Sequence, residues 1–236
     1  MSIRAKQIIE LRELVRHRIA LVRIRTKLKN KIHGVLLMKG VRINTDNSSS
    51  SNFSAQYIVK LKELNDYRIN TCINVIESLN NEIKDVSYKI LSYARENEIA
   101  KLLMTVPGIG YYSAILIVSE IGEINRFPDS HHLCSYAGLV PSTISSGGIT
   151  HYGSRITKTG SKHLRWIMVE CVHAHIRTQP DSKITKFYYR LAKKKGNSKA
   201  SVASAAKLLR VVYWIMKEKK GWMLIIIALL RNYDFR

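Results

Sequence analysis

"LLMTVPGIGYYSAILI", Leu102 to Ile117, sets a Pro-Gly-Ile-Gly turn between two apolar runs. Glycine reaches positive φ without a Cβ penalty, so Gly108 and Gly110 let the chain reverse tightly there. The apolar runs on either side then read as two packed helices, a helix-hairpin-helix. In that motif the turn's backbone N–H groups and the following helix N-terminus face outward, where they grip a phosphate without reading sequence. Pro107, Gly108, Ile109 and Gly110 are therefore candidate DNA contacts. The plainer alternative is an ordinary helix–helix turn.

Outward from this turn the same helical texture continues. Upstream, residues 1–43 form one basic helix, with Ile8, Ile9, Leu11, Leu14, Val15, Ile19, Val22 and Leu28 largely at three- and four-residue spacing. Twelve Lys/Arg occur up to Arg42, against only Glu10 and Glu13. A solvated face normally balances its charges, and this one does not, which suits a nucleic-acid-facing helix. Residues 44–56, with "NTDNSSSSNFS", read as a flexible polar loop. A second helical region, 57–100, carries Ile69, Ile73, Ile76, Ile83 and Ile90 at heptad-like spacing, with Asn80 and Ser87 at the remaining seam positions. This is a coiled-coil pattern that fits either packing within the chain or a homo-oligomer.

Downstream, "RFPDSHHLCSYAGLVP" gives a short helix with Asp129 or Ser130 as N-cap. Three further helices follow, in "SKHLRWIMVECVHAHIRT", "DSKITKFYYRLAKKKG" and "SKASVASAAKLLRVVYWIMKEKK". No stretch shows sustained period-two alternation, so the expected class is mostly α. The architecture is long basic and coiled-coil helices followed by a compact helical domain, 101–220, and an atypical apolar tail, 221–236. The tail's "GWMLIIIALL" is about half the ~20 residues needed to cross a bilayer. No membrane partner is expected. Cys72, Cys134 and Cys171 lie far apart, without a C-x-x-C pair or signal peptide, which fits a reducing cytoplasm.

The 236-residue chain has a net charge of +22, and a surplus of that size attracts phosphate polymers. One segment concentrates the chemistry. From Pro141 to Arg165 there are nine Ser/Thr, four Lys/Arg, four Gly and no acid. A serine that attacks phosphorus needs exposure, cations beside the pentavalent transition state, and a clear approach. "SSGG" at Ser145 to Gly148 offers exposure and clearance, and Arg155, Lys158, Lys162 and Arg165 offer charge. The segment reads as a loop, either catalytic or a phosphate grip without chemistry. No carboxylate cluster accompanies His131-His132 or His173/His175, so these read as structural and no metal site is assigned.

Four blocks in order, "LLMTVPGIGYYSAILIVSEIGEINRF", "LCSYAGLVPSTISSGG", "ITKTGSKHLRWIMVE" and "FYYRLAKKKG" with "KLLRVVYWIMK", resemble the C-terminal serine domain of IS-one-ten family insertion-sequence transposases. The resemblance covers residues 101–220. It implies DNA transposition and recombination, a structured guide RNA as partner, and a serine nucleophile. Carried over by position after "GLVP", that serine is Ser146, followed by Gly147 and Gly148. The family also implies an N-terminal RuvC-like DEDD domain that binds magnesium. The acids at Glu10 and Glu13 do not form such a constellation, so no cofactor is assigned to these residues. A truncated transposase, inactive without that domain, is the expectation. The alternative is a catalytically inactive helical nucleic-acid-binding module.

Overall fold

The computed structural model describes residues 3–43, 53–146 and 149–231. Two units are present, one formed by Glu13–Lys89 and the other by Met1–Arg12 with Ile90–Arg236. In chain order the elements are α1 (Ile3–Met38), α2 (Ala55–Glu63), α3 (Tyr67–Glu96), α4 (Glu98–Met104) and α5 (Tyr111–Ile121). A 3-10 turn (Ile124–Arg126), α6 (Ser130–Tyr136), β1 (Pro141–Ser146), β2 (Ile149–Ile156), α7 (Lys162–Thr178), α8 (Lys183–Lys195), α9 (Asn197–Glu218) and α10 (Trp222–Arg231) follow. Mostly α is therefore the class, as the apolar spacing requires.

In the 13–89 unit, α1 ends because Gly40 adopts φ +66. Its neighbour Val41 then donates back to the Leu36 carbonyl at 3.0 Å, closing the last turn in the manner of a left-handed C-cap. The second helical region is divided at residues 64–66. Asn65 has φ 47, and Asp66 then caps α3 by accepting from the backbone N–H of Arg68 at 2.9 Å. Lys39 and Arg68 also reach the Asp66 carboxylate, at 2.7 and 3.0 Å. These cations hold its proton affinity well below the usual carboxylate range, the Arg68 hydrogen bond most of all. The core of the unit joins Ile32, Val35 and Leu36 of α1 with Tyr57 and Leu61 of α2 and Ile69, Ile73 and Ile76 of α3. Each buried aliphatic side chain there contributes about 1.5–3 kcal/mol.

The isoleucine spacing is explained by this packing. Ile69, Ile73, Ile76, Ile83 and Ile90 are all buried within the chain. The polar seam positions pair within the chain too: Arg18 Nε donates to Ser87 Oγ at 2.7 Å, and Arg25 donates to Asn80 Oδ1 at 2.9 Å.

In the other unit two helices are sheathed by the rest. Residues 114–121 of α5 are buried without interruption. In α9, Leu208, Leu209, Val211, Val212 and Ile215 have no exposed surface. Around α9 pack α4, α6, α7, α8 and α10. Side-chain caps start the surrounding helices: Asn97 for α4, Asp129 for α6, Ser161 for α7 and Ser182 for α8. The apolar tail forms α10, with Ile225 buried and Met223, Leu224 and Ile227 exposed. No helix among the described residues is long and apolar enough to cross a membrane. Cys72, Cys134 and Cys171 are buried and unpaired.

The hydroxyl-rich segment departs from the loop expected. Its residues 141–146 and 149–156 form an antiparallel hairpin, with Thr143 opposite Tyr152, Ser145 opposite Thr150 and Ser146 opposite Ile149. Thr143, Ile144, Ile149, Thr150 and Tyr152 are strand-favouring types, and Gly147-Gly148 between them is a hairpin signature. That pattern, rather than polar–apolar alternation, was the available signal.

Candidate nucleic-acid interface and serine hairpin

The turn at 105–110 joins α4 to α5, and its two glycines do different things. Gly108 has φ +94, and a Cβ there would lie 2.6 Å from the His175 backbone nitrogen and 2.8 Å from the Cys171 carbonyl oxygen. The first glycine therefore serves close approach to the backbone of α7. Gly110, by contrast, has open space where a Cβ would be. It caps α5 without any side-chain hydrogen bond. Ile109 is buried and Pro107 half-buried. Of the four residues predicted at this turn, Gly110 at the α5 N-terminus is the exposed one.

His175 locks the turn. Its ring has no exposed surface. Nδ1 lies 2.7 Å from the Pro107 carbonyl, and Nε2 lies 2.8 Å from Ser182 Oγ. A carbonyl only accepts, so Nδ1 carries the proton. Burial lowers the histidine's proton affinity, and Ser182 Oγ, beside Nε2, also donates to Thr185 Oγ1 at 3.0 Å. His173 bonds Ser201 at 2.9 Å, and His132 bonds Asp129 at 2.9 Å. His132, His173 and His175 are thus each tied to a neighbouring side chain or carbonyl.

The base of the serine hairpin is clamped from both sides. Thr157 N donates to the Val140 carbonyl at 3.0 Å, and Ser161 N donates to the Tyr136 carbonyl at 2.9 Å. Gly138 and Gly160 have φ +64 and +79. A Cβ on Gly138 would strike the Thr159 carbonyl oxygen, and one on Gly160 would strike that of Tyr136. Only glycine lets the two chain segments close to this distance. Arg165 donates to the Ala137 carbonyl at 2.9 Å. From α5, the buried Glu120 accepts from Ser161 Oγ at 2.7 Å. Its backbone carbonyl accepts from Tyr136 OH at 3.3 Å. Arg126 stacks over Phe127 and Tyr136, at 4.4 and 4.5 Å from their ring centres.

This geometry distributes the predicted cations. Arg165 is half-buried and fastens the hairpin base. Lys158 and Lys162 are exposed at the exit from the hairpin, and Lys158 holds a left-handed φ of 55. Arg155 lies on β2, just before the last strand residue. Ser146 is the last residue of β1. Gly147 and Gly148 lie outside the described residues. Glu120, Tyr136, Gly138, Gly160 and Ser161 were not singled out from sequence. Their signal was weak, because the partners are far apart along the chain. An acid-free segment is in fact fastened by a carboxylate from another helix.

Residues 100–189, which contain both the turn and the hairpin, match the model of the transposase IS116/IS110/IS902 family. Over this segment the chain is similar to the transposases of that family. It is 28% identical over 167 residues to a transposase for insertion sequence element IS1328 from Yersinia enterocolitica, covering 70% of this chain and 49% of that protein. It is 26% identical over 222 residues to a transposase for insertion sequence element IS1111A from Coxiella burnetii, covering 90% of this chain and 60% of that protein. A pilin gene-inverting protein of Moraxella bovis is 32% identical over 126 residues, 52% of this chain and 38% of that protein. The chain thus spans about half the length of the curated relatives it matches.

Proposed function

We propose that this chain is the part of an insertion-sequence transposase that contacts DNA and joins strands during transposition or recombination, with Ser146 as nucleophile. One observation carries the reading: Ser146 ends β1 beside the Gly-Gly connection, at the closed end of a hairpin whose open end is clamped to α5 and α7. In sequence two glycines follow this serine, and residues without a Cβ leave a phosphodiester less obstructed on its approach to a hydroxyl nucleophile. In the step, Ser146 Oγ bonds to phosphorus and its proton passes to water or a base. The P–O bond to one deoxyribose breaks, and the released sugar oxygen takes up a proton. Arg155, Lys158 and Lys162 add positive charge to the segment, of the kind that stabilises non-bridging phosphate oxygens. Gly110 at the α5 N-terminus offers backbone N–H groups to a neighbouring phosphate.

The reading extends to a structured guide RNA that carries sequence choice, to assembly with further copies, and to action on DNA in the cytoplasm. Assembly through α1 and α3 uses faces other than the isoleucine seam, which is already buried. Magnesium would be held by an acidic domain of the family. Among the described residues no three His, Cys, Asp or Glu side chains gather to hold a metal, so no step here runs through one.

The test is a denaturing gel with labelled DNA, run with an acidic family domain supplied alongside the chain. A covalent adduct is expected, lost in Ser146→Ala and kept in Ser145→Ala, with DNA affinity nearly unchanged in both. The opposite pattern shifts the nucleophile to Ser145. Absence of any adduct with full affinity leaves a nucleic-acid-binding module.

A further inference from the structure

A cleft of about 390 Å³ opens where the start of α1 meets the end of α5, wholly within the unit formed by Met1–Arg12 with Ile90–Arg236. Ile8, Ile9 and Ile121 give it an apolar wall, and Arg12, Glu123 and Arg126 give it charge. Its volume lies in the range of small-molecule sites. The two arginines are anchored by their inner nitrogens. Arg12 Nε donates to the Ser119 carbonyl at 2.7 Å, and Arg126 Nε donates to the Ile121 carbonyl at 3.1 Å. These carbonyls belong to the last turn of α5, where a helix leaves acceptors unsatisfied and carries its negative end. Anchoring explains why arginines stand there, but it uses only one nitrogen of each fork. Glu123 is not explained in this way. It precedes the 3-10 turn without a side-chain capping bond, and it is exposed. Among the described residues no ion pair joins it to either arginine, although all three line one cleft.

Two donor forks and a carboxylate around an apolar wall match the edges of a nucleobase laid against that wall. Guanine fits the set best. Its O6 and N7 accept side by side, which suits the forked donors of arginine. Its N1–H and N2 amino group donate side by side, which suits the two oxygens of a carboxylate, an acceptor only. Adenine and cytosine each offer one amino donor on the pairing edge, and thymine one ring N–H, so each leaves a carboxylate oxygen unused. We propose that this cleft binds an unpaired guanine of single-stranded DNA. The base is unpaired because Glu123 takes the edge that cytosine takes in a duplex. DNA rather than RNA follows from the rest of the lining. Beyond the charged side chains it consists of isoleucines and Gly122, which give a ribose 2′-hydroxyl no side-chain partner, and burying a hydroxyl without one costs free energy. The proposal rests on the DNA-binding reading above but not on Ser146 as nucleophile.

The test is fluorescence anisotropy of the full chain with labelled oligothymidylates that carry one central guanine or one central hypoxanthine. Hypoxanthine lacks only the N2 amino group. The guanine strand is expected to bind roughly ten-fold tighter, the order set by one hydrogen bond to a charged acceptor. Glu123→Ala should bring that ratio to about one. Removing a negative charge raises affinity for both strands alike, and misfolding lowers both alike, so the ratio isolates the base contact. Replacing the one deoxyguanosine by riboguanosine should weaken binding roughly five-fold. A ratio near one in the unchanged chain overturns the proposal, and so does a ratio that survives Glu123→Ala. A riboguanosine strand bound as tightly as the deoxy strand overturns the assignment to DNA. Binding without guanine preference sinks the cleft alone, whereas binding of no DNA at all sinks the DNA reading with it.

Discussion

The α4–α5 turn and the hairpin base solve one steric problem with different chemistry. In both, a glycine at positive φ is pressed onto neighbouring backbone: Gly108 onto α7, and Gly138 and Gly160 onto the segments that flank the hairpin. The turn is then fastened by a neutral imidazole between Pro107 and Ser182. The hairpin base is fastened by charged groups, Glu120 and Arg165. Protonation of the imidazole, which burial pushes below its ordinary pKa of 6.5, would loosen the first joint, whereas the second gives way on loss of a side chain. A glycine pair in sequence therefore does not reveal whether each member faces a ligand or a neighbouring helix.

The comparison breaks most visibly at the glycines. Gly160→Ala and Gly108→Ala should each destabilise the fold by about 3–4 kcal/mol, combining overpacking against backbone with a left-handed conformation that disfavours a Cβ. Chemical denaturation measures this, and a loss under about 1 kcal/mol at either position would mean that the backbones separate easily. Next, Ser161→Ala removes both the α7 cap, in which Ser161 accepts from Leu164 N at 3.1 Å, and the bond to Glu120. The expected cost is about 2–3 kcal/mol. Ser161→Thr should restore most of it.

The two joints should separate in a pH titration. His175 has a folded-state proton affinity below its ordinary pKa of 6.5. Between that lowered value and 6.5 the unfolded chain binds more protons, so stability falls as pH drops below about 6.5. Melting temperature should decline from pH 7.5 to about 5.5, and His175→Gln should flatten that decline. An unchanged slope in the variant would place the sensitive group elsewhere. The smallest effect is expected at Gly110→Ala, where φ is −88 and the Cβ meets open space. A cost of about 0.5–1 kcal/mol from the altered cap is expected. Set against Gly108→Ala, it measures how differently one turn uses its two glycines.

Much of the helical architecture was legible because burial imposes a period. The isoleucines of α3 are buried at their predicted spacing, and Asp129 caps α6 by accepting from His132 N at 2.9 Å. The hairpin was not legible by the same rule. A two-stranded ribbon is held by its ladder and turn, and alternation is a signature of sheets that bury one face. Its base was hidden for another reason. Glu120, Tyr136, Ser161 and Arg165 belong to three helices and a connecting segment, and only tertiary structure brings them together. The seam residues Asn80 and Ser87 stood out as polar exceptions, but their partners Arg25 and Arg18 lie on a helix whose cations had been read as facing outward.

The end of the chain described here is wired to its middle. Trp222 N donates to Thr105 Oγ1 at 2.9 Å across a separation of 117 residues. The Trp222 ring lies edge-on to His175, 5.6 Å between centres. A frameshift, a fused tag or a spliced extension after Gly221 would therefore edit the seating of the Pro107–Gly110 turn without altering any of its residues.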